Sequence, residues 1–355
     1  MERVKATAPF LLFDQDPYLI VTKDGKLLWM ADAYTVSSRM PYSKPIERHI
    51  NYIRNSVKVV IDAYNGSMGF YVSDPSDILI KVYAKIFPDV FKSLKDMPEE
   101  LRQHIRYPHR LLQIQASMFA AYHMTDPKVF YNKENLWEVP AFGEVLMEPY
   151  YTIMKLPGEK KEEYILLLPY TPAKRDNLAA WLAARCDEPD YGKLLIYTFP
   201  RDRLIFGPKQ VDARINQDSY ISQQLTLWNQ RGSEVIRGSL LVIPIERSLL
   251  YVQPLYLAAS DKVGLPELRR VIVAYENDVV MEENLELALQ RLFGSKAIAG
   301  KAVGAIADIK STSADLAKEA MRAFEKAIEL QRQGNWAGYG EEIRKLEQLL
   351  KRIAK

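Results

Sequence analysis

The residues that could carry catalysis or hold a metal are few: four histidines, one cysteine and a scatter of carboxylates. His49, His104, His109 and His123 contain no pair at the i, i+4 spacing of a helical zinc site, and no Glu directly follows a His. His104 and His109 flank Arg106-Tyr107-Pro108, which reads as a loop where an imidazole could join a polar site or sit on the surface. Cys186 alone can form neither an internal disulfide nor a Cys-type zinc site. It follows Trp181-Leu182-Ala183-Ala184-Arg185, which reads as helix, and a buried inert thiol is favoured over a nucleophile. Asp14, Asp16 and Asp24 lie near a β-turn but lack the alternation and glycine of a calcium-binding helical loop.

Two glycine patterns fail on spacing. Gly294 and Gly300-Lys301-Ala302 have the wrong interval for a phosphate loop, and Ala302 stands where Ser or Thr would hold magnesium. In Asn65-Gly66-Ser67-Met68-Gly69, Asn65 occupies the place where a nucleophile elbow needs glycine, so a hairpin turn is the better account. No cofactor and no metal site is expected. The densest polar cluster runs Asp212, Arg214, Asn216, Gln217 and Asp218, then Gln223, Gln224, Asn229, Gln230 and Arg231. Amides are costly to bury without partners. Arg214, Asp218, Gln223, Gln224, Asn229 and Arg231 are therefore the candidate ligand- or partner-binding residues, set against a plainer reading in which they cap turns.

The elements that must position these residues are mixed. Phe10–Phe13, Tyr18–Thr22 and Leu27–Ala31 read as strands, with Asp24-Gly25 as a hairpin turn; Tyr52–Tyr64 and Met68–Val72 form a second pair around Asn65-Gly66. Residues 73–125 read as mainly helical, opened by Asp74-Pro75-Ser76-Asp77. Tyr150–Lys155 and Tyr164–Leu168 read as a hairpin, Asp176 as the cap of a helix through Arg185, and Lys193–Phe199 as pairing with Arg203–Phe206. Ser219–Asn229 is a predicted helix, Leu240–Ile245, Leu249–Leu257 and Arg270–Tyr275 strands, and Glu282–Phe293 a closing helix. These give an α+β main domain over residues 1–293 with mixed or antiparallel sheets and packed helices. A linker, 294–313, and a carboxy-terminal helical hairpin, 314–355, follow. In that hairpin Ile343, Leu346, Leu350 and Ile353 form one narrow apolar seam.

Composition bounds the function further. The 355 residues are 48% apolar and 26% charged, enough for an ordinary core. The 48 basic residues are interleaved with 45 acidic ones for a net charge of +3, which points away from a nucleic-acid partner. No apolar run approaches the ~20 residues of a membrane-spanning helix. Met1-Glu2-Arg3 opens no signal peptide, so the expectation is a soluble region, or a piece of a longer protein.

Several strings together resemble one family. They are Asn51-Tyr52-Ile53-Arg54-Asn55-Ser56-Val57-Lys58; Tyr107-Pro108; Tyr131 through Pro140; and Met147-Glu148-Pro149-Tyr150-Tyr151. Later come Trp181 through Arg185, Ser222 through Gly232, Val271 through Tyr275, and the turn at Gly334-Asn335-Trp336-Ala337-Gly338-Tyr339-Gly340. In order and spacing they resemble the carboxy-terminal region of the uncharacterised bacterial membrane-protein family UPF0182. The resemblance implies a large region that follows a bundle of spans absent from this chain, attached through them to the cell membrane and lying outside the cytoplasm. It supplies no activity and no catalytic residues. The leading expectation is a non-enzymatic module that binds a protein or small-molecule partner. A hydrolase or transferase of the envelope, using acids such as Asp212 or Asp218, and a structural assembly domain are the alternatives.

Overall fold

The computed structural model describes residues 1–46, 49–143, 145–200, 204–230, 232–245, 248–259, 264–294 and 326. The chain divides into two units, Met1–Met281 and Glu282–Lys355. The sequence reading placed the change later, after Phe293. The expected linker and helical hairpin lie outside the described residues, apart from Gly294 and Lys326. The described residues form an α+β fold whose sheets are antiparallel save for one parallel strand pair.

The first unit opens with α1 (Glu2–Thr7), β1 (Leu12–Phe13), β2 (Tyr18–Val21), β3 (Leu27–Ser37), β4 (Tyr52–Asp62) and β5 (Met68–Val72). Gly25 and Gly66 turn β2 into β3 and β4 into β5, each at a positive φ (81° and 70°) that a side chain would resist. Helix α2 (Ile78–Ile86) crosses to β6 (Phe91–Ser93), which pairs parallel with β5. Asp77 caps α2 by accepting from the Leu79 and Ile80 N–H groups. Its buried carboxylate also accepts from Thr35 and Ser56, each at 2.7 Å, and from Tyr52. Burial alone would raise this carboxyl, but the hydrogen bonds from Tyr52, Thr35 and Ser56 outweigh it and hold it below the ordinary range.

After a short 3-10 turn come α3 (Glu99–Arg102), α4 (His109–Tyr122), α5 (Pro127–Asn132), β7 (Trp137–Glu138), the two-stranded pair β8 (Ala141–Phe142) and β9 (Val145–Leu146), then β10 (Tyr150–Lys155), β11 (Glu162–Pro172), β12 (Ala180–Arg185) and β13 (Leu194–Thr198). The second sheet runs β10-β11-β12-β13, with β7 on the far end of β11. Two sequence expectations are corrected here. The stretch after Asp176 is no helix: Ala180–Arg185 is a strand buried along its whole length. A short, continuously apolar run fits either state, and the neighbouring strands decide it. Ala180, Leu182 and Ala184 face Leu112, Ala116 and Ala120 of α4, while Trp181 and Ala183 pack on Ile165 and Leu167. Nor do residues 204–206 pair with β13; Arg203 lies outside the described residues. That strand pairs with β12, and Phe206 bridges Asn177.

The third layer contains α6 (Pro208–Gln217), α7 (Ser219–Trp228), β14 (Ser233–Arg237), β15 (Leu241–Ile245), β16 (Ser248–Ala259), β17 (Glu267–Tyr275) and β18 (Asp278–Glu282). The sequence marks α6 only as a polar cluster. Pro208 starts it, and Val211 and Ile215, four residues apart, bury its inner face. The sheet packs on both helices through Tyr251, Leu255 and Ile272. The closing helix α8 (Leu285–Phe293) belongs to the second unit, and Asn284 caps it through the Leu287 N–H at 2.9 Å.

Among the described residues, the Asp32–Lys58 ion pair is the most deeply buried. Asp32 and Lys58 are direct cross-strand partners on β3 and β4, and both are buried, Lys58 completely. The ammonium donates to the Asp32 carboxylate and, at 2.9 Å, to the Arg106 carbonyl. It lies 5.2 Å from the Tyr191 ring centre. The next residue is held from the second sheet: the Tyr107 N–H donates to Cys186 Sγ at 3.3 Å, and the Tyr151 hydroxyl donates to the Tyr107 carbonyl at 2.6 Å. Segment 106–107 is thus pinned by both sheets at once. Removing one member of a buried pair strands the other charge. Asp32→Ala should cost about 3–5 kcal/mol in urea unfolding, while the double variant Asp32→Leu with Lys58→Met should recover most of that loss. Equal losses in both would mean that the pair is not energetically coupled.

Candidate functional site

A cleft of about 630 Å³ opens between two walls that are distant in sequence. Tyr52, Arg54 and Asn55 of β4, with Ser73 and Asp74 just beyond β5, make one wall. Tyr107, Leu111 and Gln115 at the start of α4 make the other, closed by Tyr191 and Lys193 from the turn between β12 and β13. Strand β4 serves both interior and cleft by changing surroundings along its length: Ser56 to Val60 are buried, whereas Tyr52, Ile53 and Asn55 are half-buried and Arg54 is exposed. The cleft's polar groups are tied from behind. The Tyr107 hydroxyl donates to Gln115 Oε1 at 2.7 Å, and Ser73 donates to the Asn55 carbonyl at 2.8 Å. Arg54 and Asp74 form an ion pair at 2.7 Å. Asn55 donates to the Ala33 carbonyl at 3.4 Å, and the Tyr191 hydroxyl reaches Asn55 Oδ1 at 3.5 Å. Asn55 and Tyr191 therefore stand between the cleft and the buried Asp32–Lys58 pair.

The charges and phenols around this junction are set by burial. Burial raises the Asp32 carboxyl, with Lys58 and the hydrogen bonds from Lys58 and Asn55 acting against it. Burial pushes the Tyr107 phenol up to about 12 and raises Tyr191 well above its ordinary value. The same cause lifts the Tyr52 phenol to about 12, reinforced by the Asp77 carboxylate. These hydroxyls stay protonated at neutral pH and act as neutral donors and acceptors. Behind them Arg106 lies 3.8 Å from the Tyr18 ring centre and 5.1 Å from that of Tyr151, and it pairs with Asp16 at 2.9 Å. His109 packs on Tyr151 with ring centres 4.7 Å apart, its Nε2 is buried without a partner, and burial lowers its pKa. Cys186 is buried, and burial pushes its thiol up to about 11, so it is no thiolate at neutral pH. Among the described residues no group of three or more His, Cys, Asp and Glu could hold a metal ion.

The residues singled out from sequence lie elsewhere, on and beside α6 and α7. Arg214 donates to the Glu276 and Asn277 carbonyls and lies 4.7 Å from the Phe206 ring centre. Asp218 caps α7 by accepting from the Ile221 N–H at 2.9 Å. Asn229 accepts from the Val235 N–H at 3.4 Å. Gln223 is exposed and lines a shallow depression of about 520 Å³, shared with Asn216, Gln217 and Gln230. Gln224 is half-buried and does not line it. Arg231 lies outside the described residues. Asp212 is paired with Arg237 at 2.7 Å, and Arg237 also donates to the buried Gln253 at 3.0 Å. Sequence reading missed the cleft because its walls come from four separate stretches. The available signal was a charge inside each of two apolar strands, Asp32 and Lys58.

Comparison with known proteins gives a family and no activity. The family model described as Uncharacterised protein family (UPF0182) matches residues 1–228. A UPF0182 protein of Geotalea uraniireducens is 72% identical over 354 residues, covering 99% of this chain and 40% of that protein. One from Geobacter sulfurreducens is 70% identical, covering 100% of this chain and 40% of its own length. One from Pelotomaculum thermopropionicum is 53% identical, covering 99% and 39%. The chain thus spans about two-fifths of the curated relatives it matches, about 40% in the first of them. No solved structure matches. Among the described residues no helix is long and apolar enough to cross a membrane. The family match extends over well more than half of these residues, and the chain belongs to the uncharacterised protein family UPF0182.

Proposed function

We propose that this region is a binding module, and that its ligand is a small polar molecule taken in the cleft between β4 and α4. The observation that carries this is the construction of the cleft. Aromatic rings, amides and one ion pair converge from separate elements, and each is held by a hydrogen bond or ion pair behind it. Small-molecule sites have this makeup: a concave pocket of ~300–1,000 Å³ with a few polar groups fixed in place. Fixed side chains also lose little freedom on binding, which favours affinity. The depression beside Gln223 on α7 is a second place where an amide-rich surface is offered, but it is shallower.

A fragment screen read by amide chemical shifts tests this. Binding fragments should shift residues 53–55, 73–74, 107–115 and 191–193. Ser73→Trp, which fills the cleft from its rim, should weaken them at least about tenfold. Hits confined to 216–230 would move the site to the α6–α7 surface and sink the proposal for the cleft.

We further infer from the family resemblance that the full-length protein holds this region outside the cytoplasm, tethered to the cell membrane. A single buried thiol suits an oxidising compartment. A tethered module meets its ligand at high local concentration, so modest intrinsic affinity would suffice. Protease added to intact cells making the full-length protein should degrade this region. Protection until lysis would place it in the cytoplasm.

A further inference from the structure

Resting on the binding reading above, we infer that the cleft's ligand is an uncharged, hydroxyl-rich ring compound of the saccharide class. The first argument is charge. Each cation at the cleft already has a carboxylate: Arg54 pairs with Asp74 at 2.7 Å, Lys193 with Asp190, and Lys58 beneath the floor with Asp32. Asp190 is held in addition by Arg185 at 3.0 Å. The two rim pairs are partly exposed and set a modest preference: an anion would compete with the carboxylates already on Arg54 and Lys193, and a cation with the Arg54 and Arg185 guanidiniums on Asp74 and Asp190. A neutral ligand keeps all of them.

The second argument is the mixture of polar groups. A sugar hydroxyl both donates and accepts, so it fits a surface that presents both functions side by side. The Arg54–Asp74 pair presents N–H donors beside carboxylate oxygens at one edge of the cleft. Across from it, Gln115 Oε1 is occupied by the Tyr107 hydroxyl, which fixes the amide and leaves its NH2 group for a ligand. A pair of vicinal hydroxyls could accept from Arg54 or Gln115 and donate to Asp74 without disturbing either side.

The third argument is the rings. Tyr52, Tyr107 and Tyr191 all line the cleft, and the hydroxyls of Tyr52 and Tyr107 are committed to Asp77 and Gln115. Tyr107 and Tyr191 lie 6.2 Å apart, centre to centre, as a tilted pair. Tyr107 is almost wholly buried, so the ring surface offered to a ligand is that of the half-buried Tyr52 and Tyr191, against which the C–H face of a pyranose can lie. A cleft of about 630 Å³ is within the range that encloses a ligand of two or three such rings.

Saturation-transfer NMR on the 355-residue chain, with cellotriose, chitotriose and maltotriose as neutral probes and trigalacturonate as the anionic one, tests the inference. At least one neutral trisaccharide should bind, with amide shifts at 53–55, 107–115 and 191–193. Gln115→Ala should weaken it about tenfold, and trigalacturonate should bind at least about tenfold less well. Ser73→Trp is the second variant, and thermal melting verifies that both variants stay folded. If trigalacturonate binds as tightly as the neutral sugars, or if general fragments occupy the cleft while no trisaccharide does, the saccharide inference is wrong and the binding module stands. Sugar binding unchanged in both folded variants would also overturn it. If neither sugars nor fragments perturb the cleft, both proposals fall together.

Discussion

The Asp32–Lys58 pair is the constraint on which the rest of the first unit depends. Both residues sit mid-strand on adjacent strands, and neither can reach water. Burying two charges is expensive, and mutual attraction alone seldom offsets that cost. What the pair gains is a third contact, the hydrogen bond from Lys58 to the Arg106 carbonyl. A neutral apolar pair would fill the same space but could not hold that carbonyl. The ammonium therefore acts as a peg joining the first sheet to the segment that starts α4. From there Tyr107 passes the connection to the second sheet through Cys186 and Tyr151.

The cleft follows from this junction. Its two walls are β4 and the start of α4, and their spacing is set by where Lys58 holds residue 106. Tyr191 closes one end because the turn carrying it is anchored separately: the Tyr164 N–H donates to Asp187 at 2.8 Å, and Arg185 pairs with Asp190. Asp77 performs the analogous task at the other end, joining α2 to β3 and β4 through Thr35 and Ser56. Polar groups buried in full partnership thus fix the walls, and the cleft inherits their rigidity.

Much of the fold was legible where local chemistry is decisive. Asp24-Gly25 and Asn65-Gly66 fixed two hairpins, since only a turn of positive φ reads so plainly. Residues 180–185 were misread because alanine-rich apolar runs satisfy a helix and a doubly covered strand equally well; the partners β11 and β13 decided the matter. Helix α6 was hidden because only Val211 and Ile215 mark its inner face amid polar neighbours. In the polar cluster, Arg214, Asp218 and Asn229 are found bonded to nearby backbone, and Gln223 faces an open depression. The cleft itself was not legible. Four stretches meet there, and nothing in Tyr107-Pro108 or in Asn51–Lys58 announces a shared surface. A lysine set among valines in β4, opposite an aspartate in β3, was the one clue, and it points to the junction rather than to the cleft.

The most direct test of the junction separates organisation from stability. Hydrogen exchange should be measured on the double variant Asp32→Leu with Lys58→Met, in which the core stays filled but the peg is gone. The account predicts that the Tyr107 amide loses protection, while those of β3, β4, β11 and the separately anchored turn at 190–193 keep it. Unchanged protection at Tyr107 would contradict the claim that this pair holds the two sheets and the cleft in register.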